Sequence, residues 1–313
     1  MAQRVNARLV VSPEVAEAVA AGRPVVALET TVVTHGLPAP LGVQTAAAMQ
    51  QAVRDAGALP ALIGILEGQA RVGLTADELE RLAATLGVMK VNLGNLASTV
   101  STGHAGSTTV AATIAIAHQA GVGVMATGGI GGVHRDVTET GDVSADLTAL
   151  ARLPVAVVCS GARSVLDLAR TVEALETLGV PVYGVGTDRF PAFHHRDSGL
   201  ALDQRFDRIE DLAAAVRAHG ELGLGTGVLV ANPVPERDEL PRELAEAAVA
   251  QALADAPREG VRGRAVTPFL LERVRVLTGD RSVATNRALL VDNARVAAEL
   301  AGALSRLGRP SAE

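Results

Sequence analysis

Apolar runs of four to six residues recur along the chain, and each ends in glycine, proline or polar residues before a stretch with helical spacing begins. Pro24 to Pro40, PVVALETTVVTHGLPAP, reads as a buried strand that passes directly into polar residues. Further strands are expected at Ala61–Leu66, around Lys90 in LGVMKVNLG, at the start of VMATGGIGG, and in LPVAVVC, PVYGVG and GVLVAN. Helices are expected between them. Ser12-Pro13-Glu14 opens one that Gly22 stops, and Leu41–Ala56 is another. Thr75 with Glu78 three residues on is a capping box, VAATIAIAHQAG and RIEDLAAAVRAHGELG follow, and the tail from Pro241 is mostly helical, with Asn286 beginning a last apolar helix. Asn92 to Gly106 reads as a loop rich in Ser, Thr and Gly. Strands alternating with helices predict an α/β fold with a largely parallel central sheet covered on both faces. No linker, repeat or low-complexity segment divides residues 1–313, so one domain is the economical reading, with its core at about 12–303.

Composition narrows the partners. Of 313 residues, 48% are hydrophobic and only 2% aromatic, which provides an ample core and no base-stacking platform. A net charge of −6 without a basic cluster argues against nucleic acid. A small phosphorylated ligand remains compatible. Cys159 is the only cysteine, so an internal disulfide is excluded, and no apolar run is long enough to span a membrane. A cytoplasmic location is expected. Lys90 is the only lysine among 28 basic residues, which singles out its amine in a chain that otherwise uses arginine.

Five places carry candidate chemistry. Glu29 follows an apolar strand, where a carboxylate is either paired in the core, capping the next helix, or facing a cleft at a strand end. Lys90 lies between apolar residues, at a dielectric that lowers an amine's pKa and suits it to act as nucleophile or base. Ser107-Thr108-Thr109 opens a helix and offers hydroxyls and N–H groups to an anion. The central stretch Val124–Leu147 joins a strand to Gly128, Gly129, Gly131 and Gly132, then to His134 and Arg135, a pattern that brings backbone N–H groups close to a phosphate. Behind it, Asp142, Ser144 and Asp146 would share one side of an extended segment or crowd the first turn of a helix. Arg163 stands at a strand-to-helix turn, a place to meet an anion. His194-His195 reads as loop and is not a metal motif without a third ligand.

These motifs, in order, resemble the pseudouridine-5'-phosphate glycosidases: ALETTVVTHGLPAP, ARVGLTADELERL, TTVAAT, ATGGIGGVHR, DVSADL, VVCSGA, SVLDL, LETLGVPVYG, VLVANPVPE and TPFLLERV. The resemblance covers about residues 12 to 303. It implies an α/β/α sandwich and a homotrimeric, Mn²⁺-dependent enzyme that reversibly breaks the carbon–carbon bond between uracil and C1' of ribose 5-phosphate. By this resemblance Glu29 is the proton donor, Lys90 contacts substrate, and Asp142 holds the metal. Ser144, Ala145, Asp146 and Val110 contact substrate; Thr109, His134 and Ser144 form the phosphate pocket, and Thr127 and Asn286 meet the base. Two positions depart from the family. Arg163 stands where the family has its imine-forming lysine, and a guanidinium stays protonated at neutral pH and forms no Schiff base. NLGNLA at 92–97 replaces an arginine-rich segment. Lys90 is therefore expected to take over the covalent role or to polarise an open-chain aldehyde directly, with Arg163 holding charge. The alternatives are a C-ribosyl synthase joining ribose 5-phosphate to a non-uracil aromatic acceptor, and a non-catalytic sugar-phosphate-binding relative.

Overall fold

The computed structural model describes residues 8–261 and 266–308. Its strands are β1 (Leu9–Val11), β2 (Val25–Leu28), β3 (Leu59–Leu66), β4 (Gln69–Val72), β5 (Met89–Val91), β6 (Gly106–Thr108), β7 (Val124–Ala126), β8 (Ala156–Cys159), β9 (Val182–Val185), β10 (Gln204–Phe206) and β11 (Val228–Ala231). The helices are α1 (Pro13–Ala20), α2 (Leu41–Asp55), α3 (Ala76–Ala84), α4 (Leu96–Thr102), α5 (Val110–Gln119), α6 (Val137–Thr140), α7 (Ala145–Arg152), α8 (Leu168–Thr177), α9 (Ile209–Glu221), α10 (Arg242–Arg258), α11 (Val266–Leu277) and α12 (Arg281–Leu307).

The main sheet runs β3-β2-β7-β8-β11-β9-β10 with every neighbour parallel. Its central strands β2, β7, β8 and β11 are apolar and buried at every position because both faces are covered, whereas the edge strand β10 carries Gln204 and Arg205. In β2, Val25 and Ala27 enter one core while Val26 and Leu28 enter the other; β8 and β11 divide their residues in the same way. The first core lies under α1, α5, α7, α8, α10 and α11, and the second under α2, α3, α9 and α12. Two helical layers on a mostly parallel sheet match the α/β/α expectation. Complete burial of side chains such as Leu28, Leu62 and Ile63 stabilises the fold by roughly 1.5–3 kcal/mol each.

β3 belongs to two sheets. Leu59–Leu62 pair with β2 in the parallel sheet, whereas Ile63–Leu66 pair antiparallel with β4, and Gly64 and Ile65 with β6. β6 in turn carries β5, pairing Lys90 with Ser107. The lone lysine thus stands on a small side sheet that β3 anchors to the parallel sheet bearing Glu29.

Three segments differ from the reading of the sequence. Only Val25–Leu28 of 24–40 is strand; the chain then folds into a π-helical turn, Val32–Gly36, once the Thr30 hydroxyl has bonded the Ile63 carbonyl at 2.8 Å. Asn92 to Gly106 is not all loop but contains α4, where Ser98, Thr99 and Thr102 return their hydroxyls to carbonyls three or four residues back. Those bonds remove the usual penalty of such residues in a helix. Asn286 does not begin the last helix but lies inside α12, which starts at Arg281; Ser282 and Thr285, which look like loop residues, have their hydroxyls bonded to Thr278 and to the Asp238 carbonyl.

Candidate functional site

Parallel strands deliver the residue after each strand to the same edge of the sheet, the usual place for a ligand in an open α/β sheet. Glu29 follows β2, Thr127 follows β7, Ser160 follows β8 and Asn232 follows β11. Glu29 is only 4% exposed, and its carboxylate accepts the hydroxyls of Thr31 and Thr127. Thr127 is fully buried. Behind them Asn293 of α12 donates to the Thr127 carbonyl at 2.8 Å and to Ser160 Oγ at 3.1 Å, and accepts from Asn232 at 2.9 Å. One buried amide thus ties the loops after three strands together.

In front of this edge is a cavity of about 480 Å³, within the usual range for small-molecule sites. Glu29, Lys90, Thr127, Arg163 and Asn286 all line it, so five of the residues expected from the sequence converge. Gly128 and Gly129 form part of the wall. A Cβ at Gly129 would stand 2.6 Å from the Phe193 ring, so only glycine fits there. Residues the sequence reading did not select also face the cavity: His35, Ser164, His194, and Glu272 and Arg275 from α11.

The electrostatics favour a free amine. Burial lowers the Lys90 pKa most, the nearby Arg163 guanidinium lowers it further, and Glu29 and Asp146 oppose the shift. Lys90 is accessible from the cavity, yet the surrounding walls still strip water from its ammonium form. Arg163 is half-buried, and its guanidinium makes no hydrogen bond or ion pair among the described residues. Burial lowers the His35 pKa, and Lys90 lowers it further. His194 is pushed down to about 4 by burial and by His195, so it is neutral at physiological pH; its Nδ1 lies 3.2 Å from Ser164 Oγ. Cys159 is fully buried, and burial pushes its thiol up to about 12.

The other expected residues do not line this cavity. Thr109 caps α5 and Ser144 caps α7, so Asp142, Ser144 and Asp146 lead into a helix rather than lying along a strand. Val110 and Ala145 are the first residues of those helices. Asp146 accepts the Ala111 N–H at 2.9 Å and the Gly131 N–H at 2.8 Å. The anion held by the glycine loop at Gly131 is therefore the protein's own carboxylate, and a Cβ at Gly131 would collide with Ser144. Asp146→Ala should lower unfolding free energy by about 2–4 kcal/mol, the scale of two charge-assisted bonds whose buried donors are left unpaired, as read from urea unfolding. His134 Nε2 lies 3.7 Å from Asp142, whose side chain is 55% exposed. Among the described residues no three His, Cys, Asp or Glu side chains come together to hold a metal.

The chain matches the family described as indigoidine synthase A-like protein over residues 14–303. It is 55% identical over 293 residues to the pseudouridine-5'-phosphate glycosidase of Methylobacterium nodulans, covering 94% of this chain and 87% of that one. It is 56% identical over 299 residues to the enzyme of the same name from Rhodospirillum centenum, covering 96% and 93%. Among solved structures, the prealnumycin C-glycosynthase AlnA, in complex with ribulose 5-phosphate, superposes with a TM-score of 0.90 at 41% identity, covering 96% of this chain and 98% of that one. An indigoidine synthase A-like protein from Thermotoga maritima gives 0.86 at 35% identity, covering 95% and 97%. By family model, near-full-length identity and fold, the chain belongs to the indigoidine synthase A-like family, which includes the pseudouridine-5'-phosphate glycosidases.

Proposed function

We propose that the protein cleaves pseudouridine 5'-phosphate to uracil and ribose 5-phosphate, with Lys90 as the covalent amine. The observation that carries this reading is the convergence of the Glu29 carboxyl, the Lys90 amine and the Arg163 guanidinium on one cavity. A carbon–carbon glycosidic bond has no leaving oxygen to protonate, so C1' must become the electron sink. Opening the ribose ring breaks the C1'–O4' bond, with O4' taking up a proton to become a hydroxyl, and Lys90 Nζ bonds to C1' and gives up one of its protons. Glu29 delivers a proton to the base carbon. The nitrogen lone pair then forms a C1'=N iminium as the C1'–base bond breaks, its electrons re-forming the ring C=C double bond that protonation had consumed and so giving neutral uracil. Water releases ribose 5-phosphate and restores the amine. Arg163, without a side-chain partner among the described residues, holds substrate charge, and Thr127 and Asn286 meet the base.

The direct test is to incubate the protein with pseudouridine 5'-phosphate and measure uracil and ribose 5-phosphate. No release, with ribose 5-phosphate still bound, would overturn the glycosidase reading. A second reading, the synthase direction with an aromatic carbon acceptor, draws support from the 0.90 TM-score to a C-glycosynthase. Reverse-direction assays with aromatic acceptors decide it.

We also propose Mn²⁺ at Asp142. Its exposed carboxylate is a hard oxygen donor with room for water, the donor type that a largely hydrated cation would take. Chelation followed by Mn²⁺ addition should abolish and restore turnover. A homotrimeric assembly and a cytoplasmic location complete the proposal; light scattering tests the first. No helix among the described residues is long and apolar enough to cross a membrane.

Arg163→Gln should move the rising limb of the pH profile of kcat/KM to higher pH. Removing the positive neighbour raises the Lys90 pKa, so more base is needed to free the amine.

A further inference from the structure

We infer that His35 carries the protons of the Lys90 reaction, taking one from the nitrogen as it adds to the substrate carbon and returning it to the oxygen that must leave. This rests on the proposed covalent role of Lys90. His35 lies in the π-helical turn six residues after Glu29 and lines the cavity together with Lys90. Its ring is held from behind. Nδ1 lies 2.6 Å from Thr34 Oγ1 and 3.2 Å from Ser107 Oγ, and those two hydroxyls are 2.6 Å apart. Ser107 is the cross-strand partner of Lys90, so the residue that steadies the ring is paired in register with the one that bears the amine. A hydroxyl can donate to Nδ1 or accept from Nδ1–H, so this pair supports the ring whether or not it is protonated. The other ring nitrogen is left for the cavity.

Proton traffic is unavoidable when an amine condenses with the open-chain aldehyde of ribose 5-phosphate. Attack forms the C–N bond and leaves the nitrogen positive and the oxygen negative. His35 takes the proton from nitrogen and delivers it to oxygen, giving the carbinolamine. With one further proton from solvent, the C–O bond breaks, water leaves and the iminium remains. Burial lowers the His35 pKa, and Lys90 while charged lowers it further, both shifts favouring the unprotonated imidazole that can accept the first proton. Glu29 is already held by two threonine hydroxyls and is assigned to the proton of the base carbon. Arg163 and Arg275, the other cations on the cavity wall, have no proton to exchange at this pH.

The test follows covalent capture rather than turnover. Protein, ribose 5-phosphate and cyanoborohydride are mixed near neutral pH, and the reduced adduct on the Lys90 peptide is timed by mass spectrometry. In His35→Ala the capture rate should fall about 10²-fold, on the scale of losing a general acid–base group, and added imidazole should recover part of it. His35→Asn, which keeps the size and polarity of the side chain, should be equally slow. Capture at the parental rate in both variants would overturn the His35 role while leaving that of Lys90 intact, as would a loss that imidazole does not relieve. Failure of the parent protein to form any adduct at Lys90 would overturn both.

Discussion

Lys90→Arg is expected to reduce uracil release by on the order of 10³-fold or more, the scale of losing a covalent nucleophile, and to abolish borohydride capture of ribose 5-phosphate. Arginine keeps the charge, most of the length and the cavity position, but its guanidinium does not lose a proton near pH 7 and cannot form an imine. Charge is thereby separated from nucleophilicity. If Lys90 only steadied the phosphate, arginine would serve comparably, and turnover near the parental level would refute the covalent role. The strand carrying it, β5, pairs through its backbone with β6, so the substitution should leave unfolding midpoints almost unchanged. Arg163→Lys supplies a complementary result: it places an amine at the family's imine position, and a large rise in glycosidase activity would mark Arg163 as the brake on this chemistry.

Glu29→Gln is expected to slow uracil release about 10²- to 10⁴-fold, the range for removing a general acid. The amide cannot supply the proton. It should nevertheless fold, because both partners of the carboxylate are hydroxyls, and the Thr31 or Thr127 hydroxyl can turn to accept from the new NH₂. Capture of ribose 5-phosphate on Lys90 should persist in Glu29→Gln while cleavage of the carbon–carbon bond is lost. That split separates the two roles. Equal loss of both would show that Glu29 instead shapes the cavity.

The chain pattern disclosed the parallel sheet because its strands are apolar at consecutive positions, and the position of Glu29 followed from its place at a strand end, whereas Thr127 was singled out only through the family resemblance. Lys90 was legible through its chemical isolation as the single lysine. His35 was within reach, since it sits in THG directly after the Glu29 strand, but reading that segment as extended concealed the π-helical turn that points it into the cavity. His194 lies in a loop, as read, but its burial between Phe193 and Ser164 was not legible because it depends on contacts made only in the fold. At Asp146 the acidic run after the glycine loop takes a different part from the one the sequence suggested, for a physical reason. A carboxylate near backbone N–H groups looks the same in sequence whether it waits for a cation or satisfies those N–H groups itself, as Asp146 does. Glu272 and Arg275 come from a helix more than a hundred residues beyond the glycine loop, a distance no local pattern spans.

The bond from Asn293 to the Thr127 carbonyl closes a sequence separation of 166 residues. Such contacts are slow to form because a long loop must be ordered first. During vectorial synthesis the strand-end loops therefore emerge early and wait for the last long helix to be made and docked. Catalytic competence should appear in a single late step as the C-terminal region arrives, rather than accumulating gradually with chain length.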